Sequence, residues 1–189
     1  MRTAILTISS SVAAGSTQDA SGDILAELAG AAGAEIVSRE VLADDRPAIE
    51  AALRRYCDPG SEVSFVFTTG GTGLTPDDVT PEATRAVIER DAPGFAEAMR
   101  AEASRYTPFG LLSRGVSGIA GRTLIINFPG NPKSIRELFG VVAPTLEHAV
   151  ATLRRGGGRT DESGAGLQAG AGHESGARHR AAAQRRAGD

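Results

Sequence analysis

Apolar residues in this chain gather in short runs that alternate with stretches of helical spacing. Thr3 to Ile8 (TAILTI) is a β-prone run that breaks off at Ser9, Ser10 and Ser11. Ile24, Leu25 and Leu28 then recur at helical intervals behind Ser21, whose hydroxyl suits an N-cap. Glu35 to Leu42 predicts a second strand, and Pro47 to Tyr56, with Ile49 and Leu53 four apart, a helix starting near Asp44 or Asp45. Val63 to Thr68 (VSFVFT) is the clearest strand. Thr80 as N-cap and Pro81 as first helical residue predict a helix through Arg90, and Ala92 to Tyr106 predicts another. Arg122 to Phe128 (RTLIINF) reads as a continuously apolar, buried strand. Asn131-Pro132 opens the next helix, and Val141 to Leu153, interrupted by Pro144, closes the series.

Strands that alternate with helices predict an α/β fold with a mostly parallel sheet, because the crossover helices must cover both faces. Ligands of such sheets sit where the strands end, and here those positions carry the glycine-rich and polar segments. Residues 1–155 form one expected domain. The remaining 34 residues, Gly156 to Asp189, contain 9 Gly and 8 Ala with a single Leu, too little apolar surface to offset the entropy of ordering them, so disorder is the expectation there.

Charge and rare residues narrow the function. Residues 1–155 carry 15 basic and 19 acidic side chains, a net of −4, so no global field attracts nucleic acid or an anionic membrane. The first apolar run is too short for a signal peptide and nothing approaches a membrane span. One cysteine, Cys57, excludes an intrachain disulfide and suits the reducing cytoplasm. Of three histidines, His173 and His179 fall in the last 34 residues and His148 on a predicted helix, so neither a zinc cluster nor a Ser-His or Cys-His pair is apparent. Asp, Ser, Thr, Arg and Gly remain, the residue set of magnesium and phosphate chemistry.

Thr68-Thr69-Gly70-Gly71-Thr72-Gly73 follows a buried strand directly. Its glycines let backbone N–H groups approach an anion and its threonine hydroxyls add donors, although neither the Walker A nor the dinucleotide spacing is present. A tight turn is the plain alternative. Asp77 and Asp78 follow closely, and carboxylates beside a phosphate require a bridging cation, which points to Mg²⁺; the competing role for Asp78 is to cap a helix. Ser113-Arg114 offers a hydroxyl and a charged fork for phosphate, against a solvated arginine. Pro129-Gly130-Asn131-Pro132-Lys133 follows the second buried strand. A lysine in a first helical turn opposes the helix dipole and suggests an anion nearby, unless it points to water. Asp44 and Asp45 end the second strand at the same sheet edge, where they either serve the site or cap the next helix.

Four ordered motifs together resemble the molybdopterin-binding domain of molybdenum-cofactor biosynthesis proteins: Thr68 to Gly73, Asp78 to Ala83, Thr107-Pro108-Phe109 with Ser113-Arg114, and Asn127 to Pro132. The resemblance covers Thr3 to Leu153 and lies nearest to single-domain Mog-type and MoaB-type proteins and to the G domain of plant and animal fusion proteins. It implies a three-layer α/β/α sandwich, commonly a homotrimer. The activity it implies is molybdopterin adenylyltransferase: molybdopterin reacts with Mg-ATP to give adenylylated molybdopterin and pyrophosphate, and a molybdate-inserting enzyme acts downstream. By motif, Asp44 and Asp78 match positions associated with catalysis and magnesium. Thr69, Gly70, Gly71, Thr72 and Gly73 match the nucleotide and phosphate loop, Ser113 and Arg114 a substrate-binding loop, and Gly130, Asn131 and Pro132 a further binding segment. Gly15, Asp19, Ser21 and Gly22 match an N-terminal signature of the family. The rival readings are a non-catalytic carrier of the pterin, which would gain nothing from extra carboxylates, and a hydrolase of the competence-damage kind.

Overall fold

A computed structural model describes residues 1–155 of the chain; the expected disorder of the segment that follows lies outside the described residues. The polypeptide begins with β1 (Arg2–Ile8), a short helix α1 (Ser10–Ala13), α2 (Ala20–Ala31), β2 (Glu35–Leu42), α3 (Arg46–Cys57) and β3 (Phe65–Thr69). It continues through α4 (Thr80–Arg85), β4 (Arg90–Asp91), α5 (Gly94–Tyr106), β5 (Ser117–Ala120), β6 (Thr123–Phe128), α6 (Pro132–Val142) and α7 (Leu146–Arg155).

The strands form one sheet in the order β2-β1-β3-β6-β5-β4. β2, β1, β3 and β6 run parallel, whereas β5 pairs antiparallel with β6 and with β4. The expected mostly parallel α/β sheet is therefore present, with an antiparallel margin.

Period-2 alternation splits the buried strands between two cores. Ile5, Phe65, Phe67, Leu124, Ile126 and Phe128 face one side, where α2, α5, α6 and α7 cover them. Ala4, Leu6, Ile8, Val66 and Ile125 face the other, against α3 and α4. This is the three-layer α/β/α sandwich. Phe67 anchors the first core, its ring centroid 5.4 Å from those of Phe65 and Phe128. Because four strands are parallel, the segments after Ile8, Leu42, Thr69 and Phe128 all emerge at one edge. The order reverses between β1 and β3, so a crevice opens between their carboxyl ends.

Several local expectations are corrected. Asp19, not Ser21, caps α2: its Oδ1 accepts from Gly22 N at 2.9 Å. The helix expected through Arg90 stops at Arg85, because residues 89–92 are drawn into the sheet by Glu89 N donating to Ile119 O and Ala92 N to Ser117 O. Thr80 does not cap it; its N-cap, Val79, makes no side-chain cap bond, and the Thr80 hydroxyl is used elsewhere. Pro144 lies in a 3₁₀ turn that separates α6 from α7. Asp45 does cap α3, accepting from Ala48 N at 2.8 Å, and Asn131 caps α6, accepting from Lys133 N at 2.9 Å.

Candidate functional site

The glycine loop leaves β3 in the middle of the sheet. Gly70 and Gly71 both have positive φ, +95° and +62°, and the packing forbids a side chain at either. A Cβ on Gly70 would lie 2.2 Å from the Ile8 carbonyl oxygen, and one on Gly71 2.4 Å from the Thr80 hydroxyl. The Thr80 hydroxyl donates to Gly70 O at 2.9 Å, which ties the loop to the start of α4. Among the described residues, the Gly71 and Thr72 amides donate to no protein acceptor, so two N–H groups of the loop remain for an anion.

The loop threonines behave differently from the expectation that they supply donors. Thr69 is wholly buried and donates its hydroxyl to Pro129 O at 2.8 Å, which fastens the β3 exit to the β6 exit. Thr68 is also buried and accepts from Asn127 Nδ2 at 2.9 Å. Both hydroxyls serve the sheet edge rather than an open site, and Thr72 is nearly buried.

Two carboxylates stand against this loop. Asp44 approaches Gly71, its Oδ1 3.4 Å from where a Cβ would sit, and Asp78 packs on Gly73, its Oδ2 2.9 Å from the corresponding point. Asp78 does not cap α4. Its Oδ2 accepts from the Thr75 amide at 2.8 Å and the Thr75 hydroxyl at 2.6 Å. Partial burial pushes its carboxyl up, but the bonds from the Thr75 hydroxyl and from the Gly73 and Thr75 amides, with the nearby Arg114 charge, outweigh it and hold the pKa below the ordinary value. Asp44 is gripped likewise: its Oδ2 accepts from the Ser10 amide and the Ser10 hydroxyl, each at 2.8 Å.

Arg114 takes a different role from a fork held open for phosphate. Its Nε donates to Gly73 O at 2.7 Å, and its two terminal nitrogens bond Glu82 Oε1 and Asp78 O. Its own amide donates to Thr72 O at 2.9 Å. Three of the five guanidinium donors are thus spent on bracing the glycine loop. Lys133, 84 % exposed, extends toward Glu137 at 3.7 Å, so a solvated helix pair accounts for it without a bound anion. Asp19, in the N-terminal signature, spends its carboxylate on the α2 cap and on the Thr7 hydroxyl, 2.9 Å away.

Two cavities, each of about 380 Å³, flank the segment from Pro129 to Lys133. Asp44, Gly70, Gly71, Ser21, Gly130 and Pro132 line the first, together with the β1 exit. Ser113, Asn127, Asn131, Arg100, Tyr106 and Phe109 line the second. The sequence-selected residues that reach a cavity therefore divide between one pocket at the switch point and a second beside it. Thr69, Thr72, Gly73, Asp78 and Arg114 line neither; Thr69 ties β3 to the β6 exit, and the other four take part in the bracing between α4 and the loop.

Residues 4–148 match the family model described as "Probable molybdopterin binding domain". The chain belongs to that family. It is 42 % identical to a molybdopterin adenylyltransferase of Helicobacter pylori over 141 residues, 69 % of this chain and 80 % of that protein. It is 40 % identical to the molybdenum cofactor synthesis protein cinnamon of Drosophila melanogaster over 147 residues, 77 % of this chain and 24 % of the fly protein. A second Helicobacter pylori molybdopterin adenylyltransferase is matched over 62 % of its length, so the chain spans less than two thirds of some of its relatives. Among solved structures, the molybdopterin biosynthesis enzyme MoaB of Thermus thermophilus superposes with a TM-score of 0.75 at 42 % identity, over 80 % of this chain and 95 % of that one. The Mog protein of Mycobacterium ulcerans gives 0.75 at 37 % identity, over 80 % and 98 %.

Within this molybdopterin-binding domain, sequence reasoning passed over Ser10 and Thr75, and read Thr80 as a helix cap and Glu82 only as part of the motif Asp78 to Ala83, without the loop contacts that both make. Ser10 was visible only as part of a polar run ending β1. Its partner Asp44 is 34 residues away, a separation that no local pattern spans.

The chemistry of Asp44 and Asp78, hard carboxylate oxygens beside a loop with unpaired amides, is of the kind magnesium takes. Each carboxylate has Oδ2 committed to two hydrogen bonds; Oδ1 of Asp44 has no hydrogen-bond partner among the described residues, and the Asp78 carboxylate also takes the Gly73 amide. Among the described residues no group of three or more His, Cys, Asp or Glu side chains could hold a metal by itself. One or two carboxylates completed by substrate phosphates is the set that Mg²⁺ takes, whereas a transition-metal cage would need more protein ligands.

Proposed function

We propose that the protein is a molybdopterin adenylyltransferase acting with Mg²⁺ and ATP. The observation that carries this reading is the conjunction at one loop of unpaired amides at Gly71 and Thr72 with two carboxylates, Asp44 and Asp78, that pack against its glycines. Amides attract a polyanion and carboxylates repel it, so both serve one ligand only when a cation lies between them. Magnesium, when bound at Asp44 and Asp78, supplies that neutralisation of charge on the phosphates.

In the reaction, a terminal phosphate oxygen of molybdopterin attacks the α-phosphorus of ATP. The new P–O bond forms as the bond to the β-phosphate oxygen breaks, and pyrophosphate departs with that electron pair. The chain's contribution is positioning. The Gly71 amide orients ATP phosphates in the first cavity, Ser113 and Asn131 line the cavity assigned to the pterin, and Gly130 holds the wall between them close to Gly70. Gly130 allows this approach because a Cβ there would lie 3.1 Å from Gly70 Cα.

Incubation with molybdopterin and α-labelled ATP tests the reading through label transferred to the pterin and release of pyrophosphate. A protein that retains the pterin through gel filtration yet transfers no label is the non-catalytic carrier instead. Asp78→Asn keeps the bond geometry to Thr75 but weakens the cation's ligand, so folding should persist and turnover fall. We further propose a cytoplasmic homotrimer that hands its product to a molybdate-inserting enzyme. No helix among the described residues is long and apolar enough to cross a membrane.

A further inference from the structure

The two carboxylates are held in the same way by residues from unrelated parts of the chain. Ser10, at the β1 exit, donates both its amide and its hydroxyl to Asp44 Oδ2, each at 2.8 Å. Thr75, in the loop before α4, donates its amide at 2.8 Å and its hydroxyl at 2.6 Å to Asp78 Oδ2. The Asp44 amide also donates back to the Ser10 hydroxyl at 3.1 Å, which closes a reciprocal pair between the β1 and β2 exits.

We propose that Ser10 and Thr75 are positioning residues: by filling Oδ2 of each aspartate with two donors they fix its carboxylate plane and so set the direction in which it meets a divalent cation. The proposal rests on the proposed function for the identity of the cation. A carboxylate with a free terminal torsion presents either oxygen and can chelate a larger ion through both. One whose second oxygen is filled by two donors offers a single ligand in a fixed direction, as the strict octahedral geometry of Mg²⁺ requires. Asp44 lines the switch-point cavity beside Gly71, so its open oxygen lies at the loop whose amides are unpaired. Ser10 and Thr75 are both exposed, so neither hydroxyl is held in place by packing.

The test uses the full chain and Mn²⁺ as probe, read by water-proton relaxation enhancement without nucleotide or turnover. Ser10→Ala and Thr75→Val delete only the hydroxyls and should each raise the Mn²⁺ dissociation constant about tenfold, the lower end of the effect expected for groups that orient metal ligands. Ser10→Thr and Thr75→Ser restore the hydroxyl and should stay within about twofold of the parent protein on the same reasoning. Melting in EDTA should be unchanged for all four. Parent-like Mn²⁺ binding by both deletion variants overturns the proposal. So do equal losses in the conservative and deletion variants, which would assign the residues a purely structural role, and the absence of Mn²⁺ binding by the parent. Parent protein that binds Mn²⁺ in this pattern but transfers no adenylyl group would instead defeat the proposed function and leave the grips standing.

Discussion

Arg114 donates from Nε to the carbonyl of Gly73 at 2.7 Å, across 41 residues of sequence. The same guanidinium reaches Glu82 at the start of α4 and the Asp78 carbonyl, so one planar side chain sets the spacing between the glycine loop, the acidic turn and the helix. Such a fork suits arginine alone, because lysine offers a point charge that cannot reach three acceptors in fixed directions.

Arg114→Ala should therefore destabilise the fold by about 2 kcal/mol, mostly by leaving the partly buried Glu82 carboxylate unpaired. Both side chains are about one third exposed, which keeps the figure from the upper part of the range for buried pairs. In a chain of this size that is a fall of roughly 4–8 °C in melting temperature. Arg114→Lys should recover less than half of it. Thermal melts of the three proteins check this, and a Lys variant as stable as the parent would show that charge alone is used.

Gly70 should tolerate no side chain. The Ile8 carbonyl stands 2.2 Å from any Cβ and φ is +95°, so Gly70→Ala combines a backbone clash with a left-handed conformation. A loss of at least about 2 kcal/mol is expected. Gly30→Ala, inside α2 with nothing within 4 Å, should raise stability by about 0.5–1 kcal/mol. Urea denaturation of both variants measures the contrast, and similar effects of the two would contradict the packing of β1 against the loop.

The order of elements was legible in the sequence because the buried strands are apolar on both faces and punctuated by Gly, Pro and Asp. The antiparallel margin was not. β4 has two residues, Arg90 and Asp91, and β5 contains Gly118, so neither carries a strand pattern; β5 exists because β6 offers it an edge, and β4 because β5 does. The site residues Asp44, Asp78 and the glycines were legible as chemistry, but the division of labour among them was not. Thr69, Arg114 and Asp19 look like ligand donors until their partners Pro129, Gly73 and Thr7 are known, and those partners lie 60, 41 and 12 residues away.

Acid should weaken the Arg114–Glu82 brace. Burial alone raises the Glu82 carboxyl, but the hydrogen bond and charge of Arg114 prevail and hold it below its ordinary value. A carboxylate depressed in the folded state stabilises the fold above the ordinary range, about pH 4.3 for Glu, and loses that contribution as pH falls through the depressed value. Glu82→Gln should thus be less stable than the parent at neutral pH, and the gap should narrow on acidification. Urea midpoints at a series of pH values measure it. A gap independent of pH would assign the effect of Gln to packing rather than ionisation.

Assembly is the last expected outcome. Four large side chains are exposed at the end of α5 and just beyond it: Tyr106, Phe109, Leu111 and Leu112, with Phe109 73 % and Leu111 70 % exposed. Single exposed apolar residues are ordinary, but a cluster on one short segment is surface that association covers. If the proposed homotrimer forms through it, light scattering should give three times the 19.4 kDa chain mass. The double variant Phe109→Asp, Leu111→Asp should give the chain mass itself with an unchanged circular dichroism spectrum, since neither side chain contributes to the two cores. Phe109 also lines the second cavity, so the dissociated variant should lose affinity for the pterin more than for ATP, whose assigned pocket lies across the Pro129 to Lys133 segment. A parent protein that scatters as a monomer at micromolar concentration would remove the trimer while leaving both cavities intact, because each is built within one subunit.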